Sequence, residues 1–141
     1  DRTRTIAVKL LGNLGPVARS SASRVAQAME DGCPDVRDQT AEALGNFEVT
    51  DSVVIQALIR GLGDPDERVR RNSALSLAHL GPRSEAAVPA LIVTLSDEDR
   101  YARANAIEAL KRIGTGGAVQ ALLRDLTTSR WCAQTNPEST F

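Results

Sequence analysis

A single histidine, His79, and two widely separated cysteines, Cys33 and Cys132, are the residues of this chain best suited to nucleophilic or metal chemistry. One histidine cannot build a His-rich metal site, and neither cysteine belongs to a CxxC pair or a Cys/His cluster. Cys33 stands before Pro34 in a turn-like context with no histidine beside it to take its proton, so a Cys–His nucleophile is not expected. Gly114-Thr115-Gly116-Gly117 lacks the Lys-Ser/Thr that a phosphate-cradling loop requires, and reads as a helix C-cap and loop. No catalytic group, no metal and no cofactor is expected. Unpaired cysteines argue against a disulfide framework and for a reducing, cytoplasmic setting.

The elements that would position any site must be built from small residues. Hydrophobic residues make up 42% of the 141 residues but aromatic ones only 3%, namely Phe47, Tyr101, Trp131 and Phe141. Ala, Leu and Val therefore carry the core, which suits closely packed helices better than a β-sandwich. A net charge of −1 argues against a surface made to grip nucleic acid, and no long uncharged apolar run could span a membrane. The chain opens Asp1-Arg2-Thr3-Arg4 without Met or a secretory segment, so a removed leader or a longer reading frame is expected.

Self-similarity organises the chain. Val69-Arg70 opens a segment that runs through Leu77 to Gly81, and related segments recur at steps of about 33 residues. Arginine falls at 4, 37, 70 and 103 and leucine at 11, 44, 77 and 110, while aspartate at 31, 64 and 97 precedes the arginine by six. Between them, Val54 to Leu62 aligns with Ala87 to Leu95 and, after a shorter loop, with Ala118 to Leu126; Ala22 to Met29 is a weaker copy. Each unit is two apolar-periodic segments of helical length joined by Gly, Pro and Asp, with no alternating strand pattern. The fold expected is an all-α solenoid.

Period alone does not choose a repeat family. The Thr-Pro-Leu-His opening of ankyrin and the Trp, Tyr and Phe of the tetratricopeptide pattern are both missing. Asp64-Pro65-Asp66-Glu67-Arg68-Val69-Arg70 resembles HEAT repeats. The Val-Arg…Ala…Ala-Leu-Gly pattern, with Ala87-Val88-Pro89-Ala90-Leu91, resembles the short HEAT-like repeats named after phycobilisome lyases, over residues 3 to about 127. The resemblance implies an α-solenoid of antiparallel helix pairs, about eight helices over 1–127. Second helices near 3–14, 35–47, 66–80 and 100–113 would line a concave face, and first helices near 18–30, 51–62, 84–95 and 116–127 the convex side. Residues 128–141 read as a polar C-terminal tail. The solenoid would thus begin on an orphan second helix and end on an orphan first helix.

On a helix turning about 100° per residue, Val69, Ser73, Leu77 and Leu80 share one side, flanked by Arg70 and Ala74. By the resemblance, Asp31, Arg37, Asp64, Arg70, Asp97 and Arg103 form an inter-repeat ladder with bidentate geometry possible; an anion-binding arginine row is the functional alternative. Asp64-Pro65-Asp66-Glu67 reads as N-cap, Pro at N1 and capping-box Glu. The opposite side carries Thr5, Ile6, Lys9 and Asn13, then Asp38, Gln39, Glu42 and Asn46, then Arg71, Asn72, Leu75 and His79, then Ala104, Asn105, Glu108 and Arg112. Rows of amides and short polar groups suit hydrogen bonding to a peptide. The candidate partner-binding residues are Gln39, Glu42, Asn46, Arg71, Asn72, Leu75, His79, Asn105, Glu108 and Arg112. Glu42 and Glu108 lie two repeats apart, too far for an acid/base pair if each repeat adds roughly 10 Å.

Three functions fit this surface. The first is a non-catalytic scaffold that binds a partner protein or peptide along the concave face. The second, implied by the family name, is a bilin lyase or lyase subunit, for which Lys9, Arg71 and Arg112 could meet propionates but almost no aromatic wall exists. The third is a nucleic-acid-binding solenoid, disfavoured because Asp38, Glu42 and Glu108 interrupt any basic stripe. Exposed apolar residues on the terminal helices, Val8, Leu11 and Leu14 at one end and Val119, Leu122, Leu123 and Leu126 at the other, point to a homodimer or to capping by a tail holding Trp131 and Phe141.

Overall fold

Small residues recurring at one face of each helix let the helices stack closely, and this stacking defines the architecture. The computed structural model describes residues 1–128. Its helices are α1 (Arg2–Asn13), α2 (Ala22–Ala26), α3 (Pro34–Asn46), α4 (Ser52–Gly61), α5 (Glu67–Leu80), α6 (Val88–Thr94), α7 (Arg100–Ile113) and α8 (Gly116–Thr128). No strand occurs among the described residues. The molecule is an all-α repeat protein.

The odd helices form one layer, α1 on α3, α3 on α5 and α5 on α7. Their approach is set by residues with little or no side chain. A Cβ on Gly12 would stand 2.8 Å from the Cβ of Ala43, and one on Gly45 would stand 2.8 Å from the Cβ of Ser76. The even helices touch one another more sparsely, and α4 reaches the next repeat through the 3-10 segment Gly81–Ala87. The stack is therefore tighter on the layer of odd helices, the layer that the repeat pattern assigns to the second helices. Between the layers Val36, Leu44, Leu58, Val69, Leu77, Leu91 and Leu110 are fully buried. Removing each such side chain from water stabilises the fold by about 1.5–3 kcal/mol.

Helix starts differ from the capping expected at Asp64. Helix α5 begins at Glu67, and its cap is Asp66, whose carboxylate accepts the Arg68 N–H at 2.9 Å. Asp64 instead accepts the Asp66 N–H at 2.9 Å in a turn ahead of the helix, while both of its oxygens also accept from Arg37 of the preceding repeat. Glu67 turns outward to Arg71 at 2.9 Å rather than back to the cap. The same turn recurs at Asp31 with Cys33 and at Asp97 with Asp99. Two even helices are also shorter than the pattern predicts. In place of a helix over 18–30, the five-residue α2 lies between 3-10 segments Gly15–Ser21 and Gln27–Glu30, in a stretch rich in Ser and opened by Pro16. In place of 84–95, a 3-10 segment leads into α6, pinned where the buried Ser84 hydroxyl donates to the carbonyls of Leu77 (3.0 Å) and Gly81 (2.7 Å).

Candidate partner-binding face

The recurring arginines come first, because what they hold decides what is left to bind anything else. Arg37 forks onto Asp64 of the next repeat, Nε at 2.7 Å and Nη2 at 2.9 Å, while its Nη1 donates to the Asp31 carbonyl at 2.8 Å. Arg70 repeats this on Asp97 (2.8 and 3.1 Å) and the Asp64 carbonyl (2.9 Å). Arg4 forks onto Asp31 at 2.7 and 3.2 Å from a half-exposed position. Arg103 keeps the backbone half, donating to the carbonyls of Asp97 (2.6 Å) and Glu98 (3.0 Å), and has no carboxylate partner among the described residues. Arg37 and Arg70 thus each tie their own turn to the aspartate one repeat on.

These contacts shift the acids in a consistent sense. The Arg4 guanidinium and the Cys33 N–H hold Asp31 below the ordinary carboxylate range. Burial works to raise Asp97, but the Arg70 fork and the Asp99 N–H outweigh it and hold it low. Asp38 goes the other way: burial pushes it up, and its partner is the neutral amide of Asn72.

The odd-helix layer is more structural than its polarity implies. Asn72 Nδ2 donates to Asp38 Oδ1 at 2.7 Å and Asn105 Nδ2 to the Arg71 carbonyl at 3.0 Å, so both amides bridge stacked helices. Arg71 is held by Asp99 (2.6 Å) and Glu67 (2.9 Å) and lies over the Tyr101 ring, 4.9 Å from its centroid. Arg112 pairs with Glu108 at 2.7 Å, and Lys111 joins the same carboxylate at 3.3 Å. Gln39 donates to Glu42 at 3.2 Å. Of the ten candidate residues, Arg71, Asn72, Asn105 and Arg112 are therefore engaged within the stack. A row of small polar groups at a repeat seam and a row facing a ligand have the same sequence pattern, which is why the two were read alike. Asn46, Leu75 and His79 remain accessible with no polar side-chain partner among the described residues, as do Lys9 and Asn13.

One residue escaped the sequence reading. Glu48 is the only non-glycine residue with positive φ (55°) among the described residues, and the positions one repeat away are Gly15, Gly81 and Gly114, with φ of 54°, 61° and 67°. The signal was present in the period: glycine ends three of the four odd helices and glutamate the fourth. Glu48 opens onto a cleft of about 400 Å³ between the C-terminal ends of α3 and α5, lined also by Gly45, Asn46, His79, Leu80 and Arg83.

Stacked helix pairs, a recurring Arg–Asp ladder and a layer of second helices packed one on the next define a repeat solenoid. The sequence matches the family described as HEAT repeats over residues 1–78 and again over 55–131, and the chain belongs to that family. Among solved structures it is similar to an engineered protein from the Northeast Structural Genomics Consortium, with a TM-score of 0.72 at 20% identity. That match covers 89% of this chain and 66% of the engineered one, so the chain spans less than two thirds of it. It concerns the fold alone. No curated protein matches the chain. Among the described residues no helix is long and apolar enough to cross a membrane, and no three His, Cys, Asp or Glu side chains gather as metal ligands.

Proposed function

We propose that the chain is a non-catalytic interaction scaffold that holds a partner protein or peptide against its layer of odd helices. HEAT repeats are generally protein-interaction scaffolds. The observation that carries the reading here is the set Lys9, Asn46, Leu75 and His79: accessible or half-buried side chains on successive odd helices, without polar partners among the described residues, on a layer where Arg71, Asn72 and Asn105 are held by neighbouring helices or turns. An apolar contact flanked by free donors is what an extended or helical peptide requires. The tetrapyrrole alternative keeps only Lys9 of its three anchors, since Arg71 and Arg112 already neutralise Asp99 and Glu108. Nucleic acid is disfavoured by Asp38 and Glu42 on the same layer.

Self-association is the second part of the proposal. Val119, Leu123 and Leu126 on α8 are 46%, 57% and 68% exposed, while Leu62, at the position of Leu126 in α4, is 6% exposed. A second copy covering this face would bury Leu126 as Leu62 is buried.

The test is selection of peptides from a phage-displayed random library on the immobilised chain, repeated with the Leu75→Ala/His79→Ala variant. Peptides that bind the parent and are lost by the variant, with its melting temperature unchanged, support the groove. Peptides that bind both equally move the site elsewhere.

A further inference from the structure

We infer that the cleft at the C-terminal ends of α3 and α5 is a recognition pocket for a cationic side chain, a lysine or arginine of the bound peptide, with Glu48 as its counter-charge. The inference rests on the scaffold reading and names the chemistry that the groove selects. A residue with a Cβ is disfavoured at positive φ, and glycine is the ordinary solution. Three repeats of this chain take that solution and the fourth places a glutamate in the same conformation. Residues held in such sparsely populated conformations cluster at ligand clamps and other functional sites.

The surroundings decide the sign of the ligand. The last carbonyls of a helix form a partial negative pole, commonly offset by a basic residue in the final turn. Helix α7 has Lys111 and Arg112 there and α5 has His79, which lines the cleft, whereas α3 has none. Glu48 adds a full negative charge to this uncompensated end and makes no ion pair among the described residues. Asn46, also without a polar side-chain partner among the described residues, can hydrogen-bond the peptide backbone beside the cation. Arg83 is exposed at the rim and unpaired among the described residues, so it is free to turn toward solvent when a cation enters. An acidic ligand would have to sit against both Glu48 and the carbonyl pole of α3.

The test uses the same library, selected on the parent chain, with Glu48→Gln and Glu48→Gly as the discriminating variants. Glu48→Gln keeps the strained backbone and removes the charge; Glu48→Gly removes both. Selected peptides should share a Lys or Arg at one position, and its replacement by Ala should weaken binding about tenfold, as should either Glu48 variant. Glu48→Gly should in addition raise the urea midpoint above that of the parent and of Glu48→Gln. The inference is overturned if peptides that require Leu75 and His79 carry no basic position or bind Glu48→Gln within twofold, an outcome that leaves the scaffold reading standing. It also falls if Glu48→Gly gains no stability. Peptides indifferent to Leu75 and His79, or no peptides at all, would defeat the scaffold reading and the inference together.

Discussion

Replacing Arg70 by Ala removes a rung that nothing else in the molecule can supply. The side chains of Arg70 and Asp97 are 10% and 9% exposed, so the pair is about nine-tenths out of water. Without the guanidinium, Asp97 keeps only the Asp99 N–H at 2.8 Å, and the carbonyls of Asp64 and Pro65 lose their donor. Breaking one partner of a buried pair costs about 3–5 kcal/mol, and the turn that still serves Asp97 places this case near 3 kcal/mol. Arg37→Ala should behave alike, since Arg37 and Asp64 are 13% and 9% exposed. Arg4, at 55% exposure, provides the internal control: the same fork in water should leave the midpoint close to that of the parent.

Urea unfolding followed by circular dichroism measures all three. Because repeats contribute as units plus nearest-neighbour interfaces, loss of cooperativity in Arg70→Ala, seen as a shallower transition, belongs to the expected result. Arg70→Lys should not rescue it, as an ammonium cannot fork onto a carboxylate and reach two carbonyls at once. The pair Arg70→Met/Asp97→Leu should recover most of the loss, because it leaves no charge stranded. An Arg70→Ala midpoint equal to that of Arg4→Ala would refute the argument that burial sets the worth of each rung.

Gly45→Ala should destabilise by about 1–3 kcal/mol in urea, since its Cβ meets Ser76 on α5 and helix spacing must give; an unchanged midpoint would show that the stack is looser than described. Ser73→Ala should leave stability equal or raise it by about 1 kcal/mol, because the Ser73 hydroxyl is buried with no hydrogen-bond partner. Asp31, Asp66, Asp97 and Asp99 are all held below their ordinary values, so their contribution is full above about pH 4 and is lost as pH falls through the folded values. Asp38, raised by burial, opposes this by favouring the folded state as it protonates; urea midpoints that do not fall in acid would mean the ladder acids contribute nothing net. Light scattering over a concentration series should show association that Leu123→Glu/Leu126→Glu abolishes, and a monomer at all concentrations would remove the self-association proposal.

Much of the fold was legible because each repeat writes it again. The odd helices begin and end close to where the recurring Val-Arg and Leu positions place them. The even helices were less legible, since Ser-rich and Pro-containing stretches favour 3-10 turns that a hydrophobic pattern does not distinguish from α-helix. The ladder aspartates could be seen, but not their double duty, which moves the cap of α5 from Asp64 to Asp66. Least legible was the odd-helix layer. Asn72 and His79 are both polar and both recur in register, yet one bridges α3 and α5 while the other faces solvent, and only the packed helices tell them apart.

In a repeat protein, a residue that appears at the same place in every unit is accounted for by the stack, so information about a partner is best sought where the register is broken. Two such breaks carry a structural cost here. Ser73 leaves an unpaired hydroxyl where the next repeat has Ala106, and Glu48 holds positive φ where the other repeats have glycine. Ser73 is fully buried, so no partner can reach it, whereas Glu48 is exposed at the mouth of a cleft. Relief of cost should therefore separate the two positions. Ser73→Ala should be at least as stable as the parent and bind as before; Glu48→Gly should be more stable and bind worse. Only the second pattern ties a local defect to recognition, because a cost that serves nothing outside the fold can be removed without loss.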